Sequence, residues 1–389
     1  MLLKNKKTFK SLVIGSNKGH IYSVCCALNG AGSEIDLIAT EQICAQSRII
    51  NSATIVFTIE EMIAVLCTRI LDNYDFIQIC DEHIIKTVLE SDIPLDRKVK
   101  LLPIISKNNF SHLISKIGLS EILAKNHIKT PKFFVASTKK EAVKHAVKLK
   151  FPVMIKIDHS GGGDGVFECK NEGDINSLDS DIFKLPVLIQ EKIQGELIDL
   201  SSFFQQGKLI HFDYSSILET VNGKFRPSCV RKYYQPHLLD KKTIEDLKKI
   251  GEMLGLNSFT NISAIKTQDC IYFFEVDARA NIWANYSKYI GNDISRNIKN
   301  WFQNSKIIDS NPPQRNSKFP NEVIIPHFLR IKLSDILTNK HNALKYLPNH
   351  DTRHILHYIY KTSKFRKKIK SLKMKLRQMR KKLFISSAQ

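Results

Sequence analysis

The sequence predicts an α/β protein in which a parallel, doubly wound domain is followed by a mixed α+β region and a basic helical tail. Three observations lead to this fold class. Strand-sized apolar runs alternate with helical stretches through residues 1–105. Strands and hairpins follow one another more closely through residues 106–303, and the last residues, 361–389, are strongly basic.

Length and composition indicate several domains. A chain of 389 residues is longer than one ordinary domain, and 43% hydrophobic residues are ample for several cores. We expect a doubly wound domain over residues 1–105, a mixed α+β region made of segment 106–185, which contains a glycine-rich run, and segment 186–303, then a linker with an extension over 304–360 and a basic amphipathic helix over 361–389.

The first domain is predicted from three apolar strands with helices between them. The strands are SLVIG (11–15), EIDLIAT (34–40) and DFIQICD (75–81). The stretch TIEEMIAVLCTRILDN predicts a helix with one apolar face, made of Ile59, Met62, Ile63, Leu66 and Ile70. Strands that are apolar throughout and alternate with helices are typical of a parallel sheet. No G-x-G-x-x-G follows the first strand, so a dinucleotide-binding domain is not supported.

The second region mixes helices with hairpins. Thr138 followed three residues later by Glu141 is a capping-box pattern, which predicts the start of a helix. The stretch DKKTIEDLKKIGEMLGL predicts another helix. NISAIKTQDCIYFFEVDARA predicts a hairpin with its turn near Gln268 and Asp269.

Cysteine usage and hydropathy indicate the compartment. None of the eight cysteines has C-x-x-C spacing, and several lie in apolar runs. This pattern favours reduced thiols in a cytosolic protein over a disulfide framework or a zinc site. We identify no signal peptide, and no run approaches the roughly 18 apolar residues that a membrane span needs.

The peptide FPVMIKIDHSGGGDGVFECK (151–170) combines a strand lysine with a glycine loop. Lys156 lies near the end of a β-like run, and the glycines that follow are Gly161, Gly162, Gly163 and Gly165. An ammonium group is a compact point charge for phosphate oxygens, and glycines let backbone N–H groups approach an anion. The peptide therefore predicts a polyphosphate site, and the alternative is a surface hairpin with one lysine.

Three further segments point to the same chemistry. VLIQEKIQGE (187–196) is an apolar strand whose exit offers backbone groups to an adenine edge and a carboxylate to ribose hydroxyls. In YFFEVDAR (272–279), period-two spacing puts Glu275, Asp277 and Arg279 on one strand face, which suits Mg²⁺ and phosphate. Lys116 would add a second cation. The alternatives are an ordinary strand end, a solvated ion-paired strand face and a solvent-facing helix lysine.

Taken in order, these segments resemble the ATP-grasp superfamily, of the carboxylate–amine/thiol ligase type with a carbamoyl-phosphate synthetase-like ATP-grasp domain. The motifs that carry the resemblance are Lys116 with HIKTP, PVMIKIDHSGGGDGV, IQEKIQGE and EVDAR. The resemblance implies a pre-ATP-grasp domain followed by a two-lobed ATP-grasp domain. It also implies ATP and Mg²⁺ (or Mn²⁺) as cofactors, and a C–N bond formed through an acyl-phosphate intermediate.

The resemblance also implies a role for each matching residue. Arg279 and Lys156 are the implied catalytic residues, with Arg279 facing the transferred phosphate. Glu275 and Asp277 match the metal-binding pair. The implied nucleotide-binding residues are the phosphate lysines Lys116 and Lys156, the loop glycines Gly161, Gly162, Gly163 and Gly165, the adenine hinge Glu191, Lys192 and Ile193, and the ribose carboxylate Glu196.

The sequence departs from the family pattern at the metal face and on the lysine strand. Asp277 replaces an asparagine, a change compatible with Mg²⁺, and Ile157 replaces a proline. Asn261 and Ser263 stand in the stretch where the family has an acidic metal ligand. Asp199 or Asp213 would be the substitutes for that ligand.

The expected activity is ATP-dependent ligation of a carboxylate to an amine. Both substrates are small molecules, and an amino acid or amine joined to a cell-envelope or polysaccharide precursor is one option. The absent acidic ligand keeps a different class open, a non-catalytic or weakly active nucleotide-binding scaffold with a basic tail that binds a membrane or a partner. A homodimer is also left open.

The net charge of +21 comes largely from the C-terminal tail. Twelve Lys or Arg lie within residues 361–382, and no acidic residue follows Asp351. One apolar stripe on a cationic helix is predicted from Phe365, Ile369, Leu372, Leu376, Met379 and Leu383. Such a helix binds an anionic membrane, a partner helix or nucleic acid, or packs on its own domain. Sparse aromatic residues disfavour nucleic acid. The membrane hypothesis places residues 361–384 at the inner face of the membrane and the rest in the cytoplasm.

Overall fold

The chain divides into two compact units between Ile324 and Ile325. The computed structural model describes residues 9–161, 163, 165–184, 186–221, 226–304, 314–328 and 330–346. Gly162, part of the predicted linker and the whole predicted basic helix lie outside the described residues. Among the described residues, helices that combine the length and the apolar character needed to cross a bilayer are absent.

The first unit begins with a parallel sheet. Its strands are β1 (Lys10–Gly15), β2 (Glu34–Ala39), β3 (Ser52–Ile55) and β4 (Phe76–Ile79), in the order β3-β2-β1-β4. The helices that alternate with them are α1 (Lys18–Gly30), α2 (Gln42–Ala45), α3 (Ile59–Thr68), α4 (Glu82–Glu90) and α5 (Leu95–Leu101). The predicted parallel, doubly wound fold is confirmed.

Two details of this first sheet differ from the sequence prediction. α3 ends at Thr68, so Ile70 lies beyond the helix and its side chain is 64% exposed. The apolar face therefore consists of residues up to Leu66. The strand β3 was not predicted, because an exposed edge strand of four residues carries neither an apolar run nor a clear alternation.

A small antiparallel sheet follows. Its elements are α6 (Lys116–Lys125), β5 (Phe133–Ala136), α7 (Lys139–Leu149), β6 (Val153–Ile157), β7 (Val166–Cys169), α8 (Glu172–Ser177) and β8 (Val187–Glu191). The strand order is β5-β8-β6-β7. The predicted cap of α7 is present, since Thr138 Oγ1 accepts a hydrogen bond from Glu141 N at 3.2 Å.

A larger antiparallel sheet completes the first unit. Its elements are β9 (Glu196–Gln205), β10 (Lys208–Phe212), β11 (Tyr214–Thr220), β12 (Ser228–Tyr234), α9 (Lys241–Leu254), β13 (Phe259–Lys266), β14 (Ile271–Asp277) and α10 (Ile294–Asn304). The strand order is β14-β13-β9-β11-β12, and β10 pairs with β9. Gly255 ends α9 with φ +59°, a left-handed conformation that glycine adopts at little cost.

Aromatic packing fixes the first sheet against the larger one. The ring of Phe76 on β4 lies 5.5 Å from that of Phe203 and 6.0 Å from that of Phe259, centroid to centroid. Next to these rings, the side chain of Gln78 accepts a hydrogen bond of 2.9 Å from the backbone N–H of Phe259. Buried aromatic clusters of this kind are costly to separate. The loop after β4 is therefore held close to the end of β14.

The remaining elements are short. Single 3₁₀ turns lie at Leu71–Asn73, Lys107–His112, Ser180–Lys184, Pro236–Leu238 and Ser287–Ile290 in the first unit. The strand β15 (Glu322–Pro326) crosses the boundary between the units. The second unit then contains α11 (Leu333–Leu337) and a 3₁₀ segment at Lys340–Tyr346.

Candidate active site

Lys156 is buried on the strand β6. The residue is only 7% exposed, and its Nζ lies 4.5 Å from the centroid of the Phe274 ring. The pKa of Lys156 falls to about 8, because burial, helped by the charge of Lys116, lowers it more than the carboxylate of Glu275 raises it. A buried ammonium is costly unless an anion accompanies it. The position therefore suits a strongly anionic ligand.

Glu275 and Asp277 lie on one face of β14, as the period-two spacing predicts. In the neighbouring strand β13, Ser263 is paired with Glu275 and Asn261 with Asp277. Burial and repulsion from Asp277 together raise the pKa of Glu275 to about 7, against the lowering effect of Lys156, Lys116 and Arg279. Two carboxylates that repel each other in a partly buried site favour a divalent cation between them.

Arg279 joins this face from just beyond the strand. β14 ends at Asp277, so the arginine is not a strand residue, but its Nη2 still lies 3.1 Å from Asp277 Oδ2. The same Nη2 lies 3.6 Å from Glu82 Oε2, at the start of α4. The arginine therefore lies between the large sheet and the first sheet.

Lys116 is the first residue of α6 and is tied to the loop after β6. Asp158 accepts hydrogen bonds from Lys116 N at 2.6 Å and Ile117 N at 3.2 Å. The ammonium of Lys116 donates to the carbonyl oxygen of Ser160. The helix start and the loop are thus fixed to each other, and the Lys116 side chain points toward the glycine segment.

The described loop glycines have backbone conformations that favour glycine. Gly163 has φ +82° and Gly165 has φ +74°. A Cβ placed on Gly161 would lie 2.9 Å from Glu82 Oε2, so the loop passes close to α4. Gly162 lies outside the described residues.

The predicted adenine hinge follows β8, next to the lysine strand. In the pairing of β6 with β8, Val153 is opposite Glu191 and Lys156 is opposite Leu188. Glu191 Oε1 accepts a hydrogen bond of 2.8 Å from Lys132 N, and Lys192 Nζ lies 2.6 Å from Glu168 Oε1. Because both side chains have protein partners, the backbone of 191–193 is what this segment offers to a ligand.

The predicted ribose carboxylate, Glu196, is the exposed first residue of β9. Its Oε1 accepts a hydrogen bond of 3.4 Å from the Tyr234 hydroxyl. Ile193, before it, is half-buried. The sequence-predicted nucleotide residues thus lie on the small sheet, on the exit of β8 and at the start of β9.

Both predicted substitutes for the acidic metal ligand, Asp199 and Asp213, already have protein partners. Asp199 is buried and accepts a hydrogen bond of 2.6 Å from Ser263 Oγ, and the guanidinium of Arg231 donates to its other oxygen. Asp213 Oδ1 lies 2.8 Å from His211 Nε2. Across the described ranges, clusters of three or more His, Cys, Asp or Glu with metal-binding geometry are absent.

Two contributors to the site were not predicted from the sequence. Glu82 contacts Arg279 across 197 residues of chain, where packing of the first sheet on the larger one brings their elements together. Phe274, whose ring lies 4.5 Å from the Lys156 ammonium, directly precedes Glu275 on β14. Regular alternation would put these two side chains on opposite faces, but the strand pairing shifts between Ser263 and Ala264, next to Phe274.

Comparisons with known proteins identify this region. A family model described as the RimK-like ATP-grasp domain matches residues 115–302. This region is an ATP-grasp domain. It begins at the N-cap of α6, runs through both antiparallel sheets and ends in α10. The predicted superfamily is therefore confirmed, and the ATP-grasp domain contains the sequence-predicted nucleotide, metal and catalytic positions.

Curated relatives match only part of this chain. The carbamoyl phosphate synthase large chain of Clostridium beijerinckii is 24% identical over 182 residues, which are 45% of this chain. The matched region spans only 16% of that relative's own length. The relative therefore supports the superfamily of the domain, and its activity belongs to a much larger protein.

Solved structures share the fold over most of the chain. The biotin carboxylase domain of the 2-oxoglutarate carboxylase of Hydrogenobacter thermophilus, solved with MgADP and bicarbonate, has a TM-score of 0.57 at 16% identity, covering 82% of this chain and 74% of that one. The L-amino acid ligase of Bacillus licheniformis has a TM-score of 0.54 at 15% identity, covering 76% and 74%. At such identities the likeness shows the fold, including the sheet that precedes the ATP-grasp domain.

Proposed function

We propose that this protein is an ATP-dependent carboxylate–amine ligase that forms a C–N bond with release of ADP and phosphate. The observation that carries the proposal is the convergence of buried Lys156, the Glu275–Asp277 pair and Arg279 at the meeting point of three sheets. The ATP-grasp fold of the region supports it. The substrates are proposed as a small-molecule carboxylate and an amine, and an amino acid is one candidate for the amine.

The residues fit ATP and Mg²⁺ (or Mn²⁺). The buried ammonium of Lys156 faces the ring of Phe274, and among the described residues no carboxylate lies at ion-pair distance from it, so phosphate oxygens would complete its surroundings. The mutual repulsion of Glu275 and Asp277 would be relieved by a divalent cation. Mg²⁺ polarises phosphoryl oxygens and neutralises the charge that grows on them during transfer.

The side chains divide the work of the reaction between them. Lys156 and Lys116 hold phosphate oxygens, and the backbone after β8 holds the adenine edge. Arg279 orients the substrate carboxylate and the transferred phosphoryl group and stabilises their developing charge. A carboxylate oxygen attacks the γ-phosphorus, and ADP leaves. The amine would then attack the acyl carbon of the acyl-phosphate, the C–N bond would form as the C–O bond breaks, and phosphate would leave with that electron pair while the amine proton passes to phosphate or solvent.

Glu275→Gln tests the proposal most directly. With ATP, Mg²⁺ and pooled carboxylates and amines, the wild-type protein should release phosphate and the variant should lose turnover while it keeps most of its ATP affinity. The reason is that the carboxylate serves the cation rather than the adenine or ribose. Asp246→Asn, on α9 and remote from this face, is the matched control. Full turnover in Glu275→Gln would remove the metal role from this residue.

A second candidate function is a nucleotide-binding scaffold with little or no turnover. It is favoured by the neutral residues Asn261 and Ser263 opposite the two carboxylates. The same assay separates the two, because a scaffold would bind ATP without releasing phosphate in any substrate pool.

We also propose a reducing compartment and a membrane-surface role for the tail. The eight cysteines all lie among the described residues as thiols rather than disulfides, which supports a cytoplasmic setting. The buried ones are Cys25, Cys26, Cys44, Cys80 and Cys169. The cationic stripe of residues 361–384 supports peripheral attachment to an anionic surface at the inner face of the membrane. These residues lie outside the described part of the chain, so the support is their sequence alone.

A further inference from the structure

A cavity of about 540 Å³ opens at the carboxyl ends of the strands of the first sheet. It lies between the loops that follow β1 and β4, which are neighbours in the order β3-β2-β1-β4. This is the point where the strand order reverses, the place where open α/β sheets bind ligands. Its lining includes Ser16, Asp81 and Glu82 from the first sheet and Gly161 and Arg279 from the ATP-grasp domain.

The backbone donors at the start of α1 are already used. Asp81 Oδ2 accepts hydrogen bonds from Ser16 N at 2.6 Å and Asn17 N at 3.1 Å. His20 Nδ1 lies 3.2 Å from Asp81 Oδ1. Because Asp81 takes these two donors, they are not available to an anion in the cavity. Lys18 and Lys86 also line the cavity, and Lys86 lies 3.9 Å from Glu90. Arg279 is the lining cation that also contacts the metal-binding face, through Asp277, so a carboxylate that reacts with ATP would be recognised there.

Glu82 contacts that guanidinium in the present structure. The distance of 3.6 Å is long for a charge-assisted hydrogen bond, and the shorter contact of Arg279 is the one to Asp277, at 3.1 Å. The Glu82 side chain is 26% exposed and the Arg279 side chain 14%, so the pair is open to the cavity on one side. Burial and then repulsion from Asp277 raise the pKa of Glu82, while Arg279 and Lys116 lower it. The carboxylate is held loosely in surroundings that disfavour its charge.

We propose that Glu82 is an internal competitor for the substrate carboxylate on Arg279. In the resting protein Glu82 takes the place on the guanidinium, and a carboxylate substrate that enters through the cavity displaces it. The inference rests on the function proposed above, and it names the cavity as the carboxylate subsite. Nη2 of Arg279 already contacts both Asp277 and Glu82, and a third carboxylate on the same guanidinium would be repelled by both of them. Removing the Glu82 carboxylate should therefore strengthen binding of the substrate carboxylate.

Displacement of the Glu82 side chain from Arg279 would also affect the glycine segment. The close approach of Gly161 to Glu82 Oε2 means that the loop and the carboxylate share one space. A Glu82 side chain that turns away from Arg279 therefore changes the surroundings of Gly161. Substrate entry and the start of the glycine segment are linked through this one side chain.

Titration with acetate tests the proposal without nucleotide. The apparent dissociation constant is taken from the rise of melting temperature with acetate, at ionic strength held constant with chloride. Glu82→Gln should bind acetate roughly fivefold more tightly than the wild-type protein, the factor expected from removing one modest competing ion pair. Glu82→Asp keeps the charge but shortens the reach, so it should fall between the two.

Two controls make the result specific. Glu252→Gln removes an exposed carboxylate of α9 that does not line the cavity, and it should match the wild-type protein. Arg279→Gln should abolish the effect of acetate. Equal dissociation constants for Glu82→Gln and the wild-type protein overturn the proposal, and so does a Glu82→Gln gain that persists in the Arg279→Gln background. ATP affinity is measured separately, so a failure of the ligase proposal and a failure of this one are distinguishable.

Discussion

Ser263 lies directly opposite Glu275 in the antiparallel pair of β13 and β14, and its hydroxyl donates a hydrogen bond of 2.6 Å to Asp199 on the strand at its other side. Two residues earlier, Asn261 lies opposite Asp277 and accepts a hydrogen bond of 2.6 Å from the Asn281 amide. The two neutral positions of the metal face therefore differ. Ser263 is hydrogen-bonded to a carboxylate, whereas Asn261 is hydrogen-bonded to one amide and to the hydroxyls of Ser201 and Ser263.

Asn261→Asp should raise the affinity for Mg²⁺. The new carboxylate has nearly the same shape as the amide, faces Asp277, and keeps the hydrogen bond from Asn281. A third carboxylate at the face adds an oxygen ligand that a hard cation prefers. Calorimetric titration of Mg²⁺ in the presence of a non-hydrolysable ATP analogue should show several-fold tighter binding than in the wild-type protein. Unchanged affinity would contradict the assignment of this face to a metal.

Ser263→Asp should behave differently. The substitution removes the donor to Asp199 and places a like charge beside a buried carboxylate, so we expect a loss of about 1–3 kcal/mol in the free energy of unfolding. Urea unfolding at neutral pH measures it, with Asn261→Asp as the matched comparison. A Ser263→Asp protein as stable as the wild type would show that Asp199 does not depend on this contact.

Lys156→Met should stabilise the protein while abolishing ATP binding. The pKa of Lys156 in the folded protein is about 8, below the ordinary value of 10.5, so the buried ammonium is a cost whenever it is charged. At pH 7 the variant should gain on the order of 1 kcal/mol, because Glu275 loses a favourable cation at the same time. In the wild-type protein the Lys156 ammonium loses its proton at lower pH in the folded state than in the unfolded state. The difference in free energy of unfolding between the variant and the wild-type protein should therefore narrow as pH rises from about 8 to about 10.5.

Calorimetry with ATP and urea unfolding across pH measure the two effects. Lys140→Met, which replaces an exposed lysine of α7, is the control and should change neither. A Lys156→Met variant that binds ATP as tightly as the wild type would remove the lysine from the phosphate site, whatever happened to its stability.

The parts of the site that follow local periodicity were predictable from the sequence. Glu275 and Asp277 share a face because side chains alternate along a strand, and Lys156 lies on a strand because the run around it is apolar. Arg279 departs from that logic, since β14 ends two residues before it. It still reaches Asp277 because its side chain is long.

Long-range placement could not be predicted in the same way. The contact between Glu82 and Arg279 depends on how Phe76 packs against Phe203 and Phe259, and no local pattern encodes such a pairing. The edge strand β3 was missed for the opposite reason, since its residues are partly exposed and carry little apolar signal. The bounds predicted for the separate domains stay predictions.

Asp81→Asn should destabilise the first sheet in a pH-dependent way. Burial alone would raise the pKa of Asp81, but the hydrogen bonds from His20, Ser16 and Asn17 outweigh it and lower the pKa to about 2, from an ordinary 3.8. A carboxylate whose pKa is lower in the folded protein than in the unfolded chain stabilises the fold at pH values above the unfolded-state pKa. This stabilisation is lost as pH falls through the folded-state pKa. We expect the variant to be about 2 kcal/mol less stable at pH 7. In urea unfolding the difference should shrink between about pH 4 and pH 2, and a difference that stays constant would contradict this account.

Deletion of residues 361–389 should abolish binding to anionic vesicles and leave ATP binding intact. Each basic residue near an anionic surface contributes about 1 kcal/mol, and the attraction decays within a Debye length. The sequence-predicted nucleotide and metal residues all precede Arg279, so the deletion spares them.

Co-sedimentation with anionic and neutral vesicles, at low and high salt, compares the intact and truncated proteins. Binding should need anionic lipid and weaken in high salt. If the helix instead packs on its own domain, truncation lowers the melting temperature and neither protein sediments with vesicles, an outcome that would end the membrane proposal.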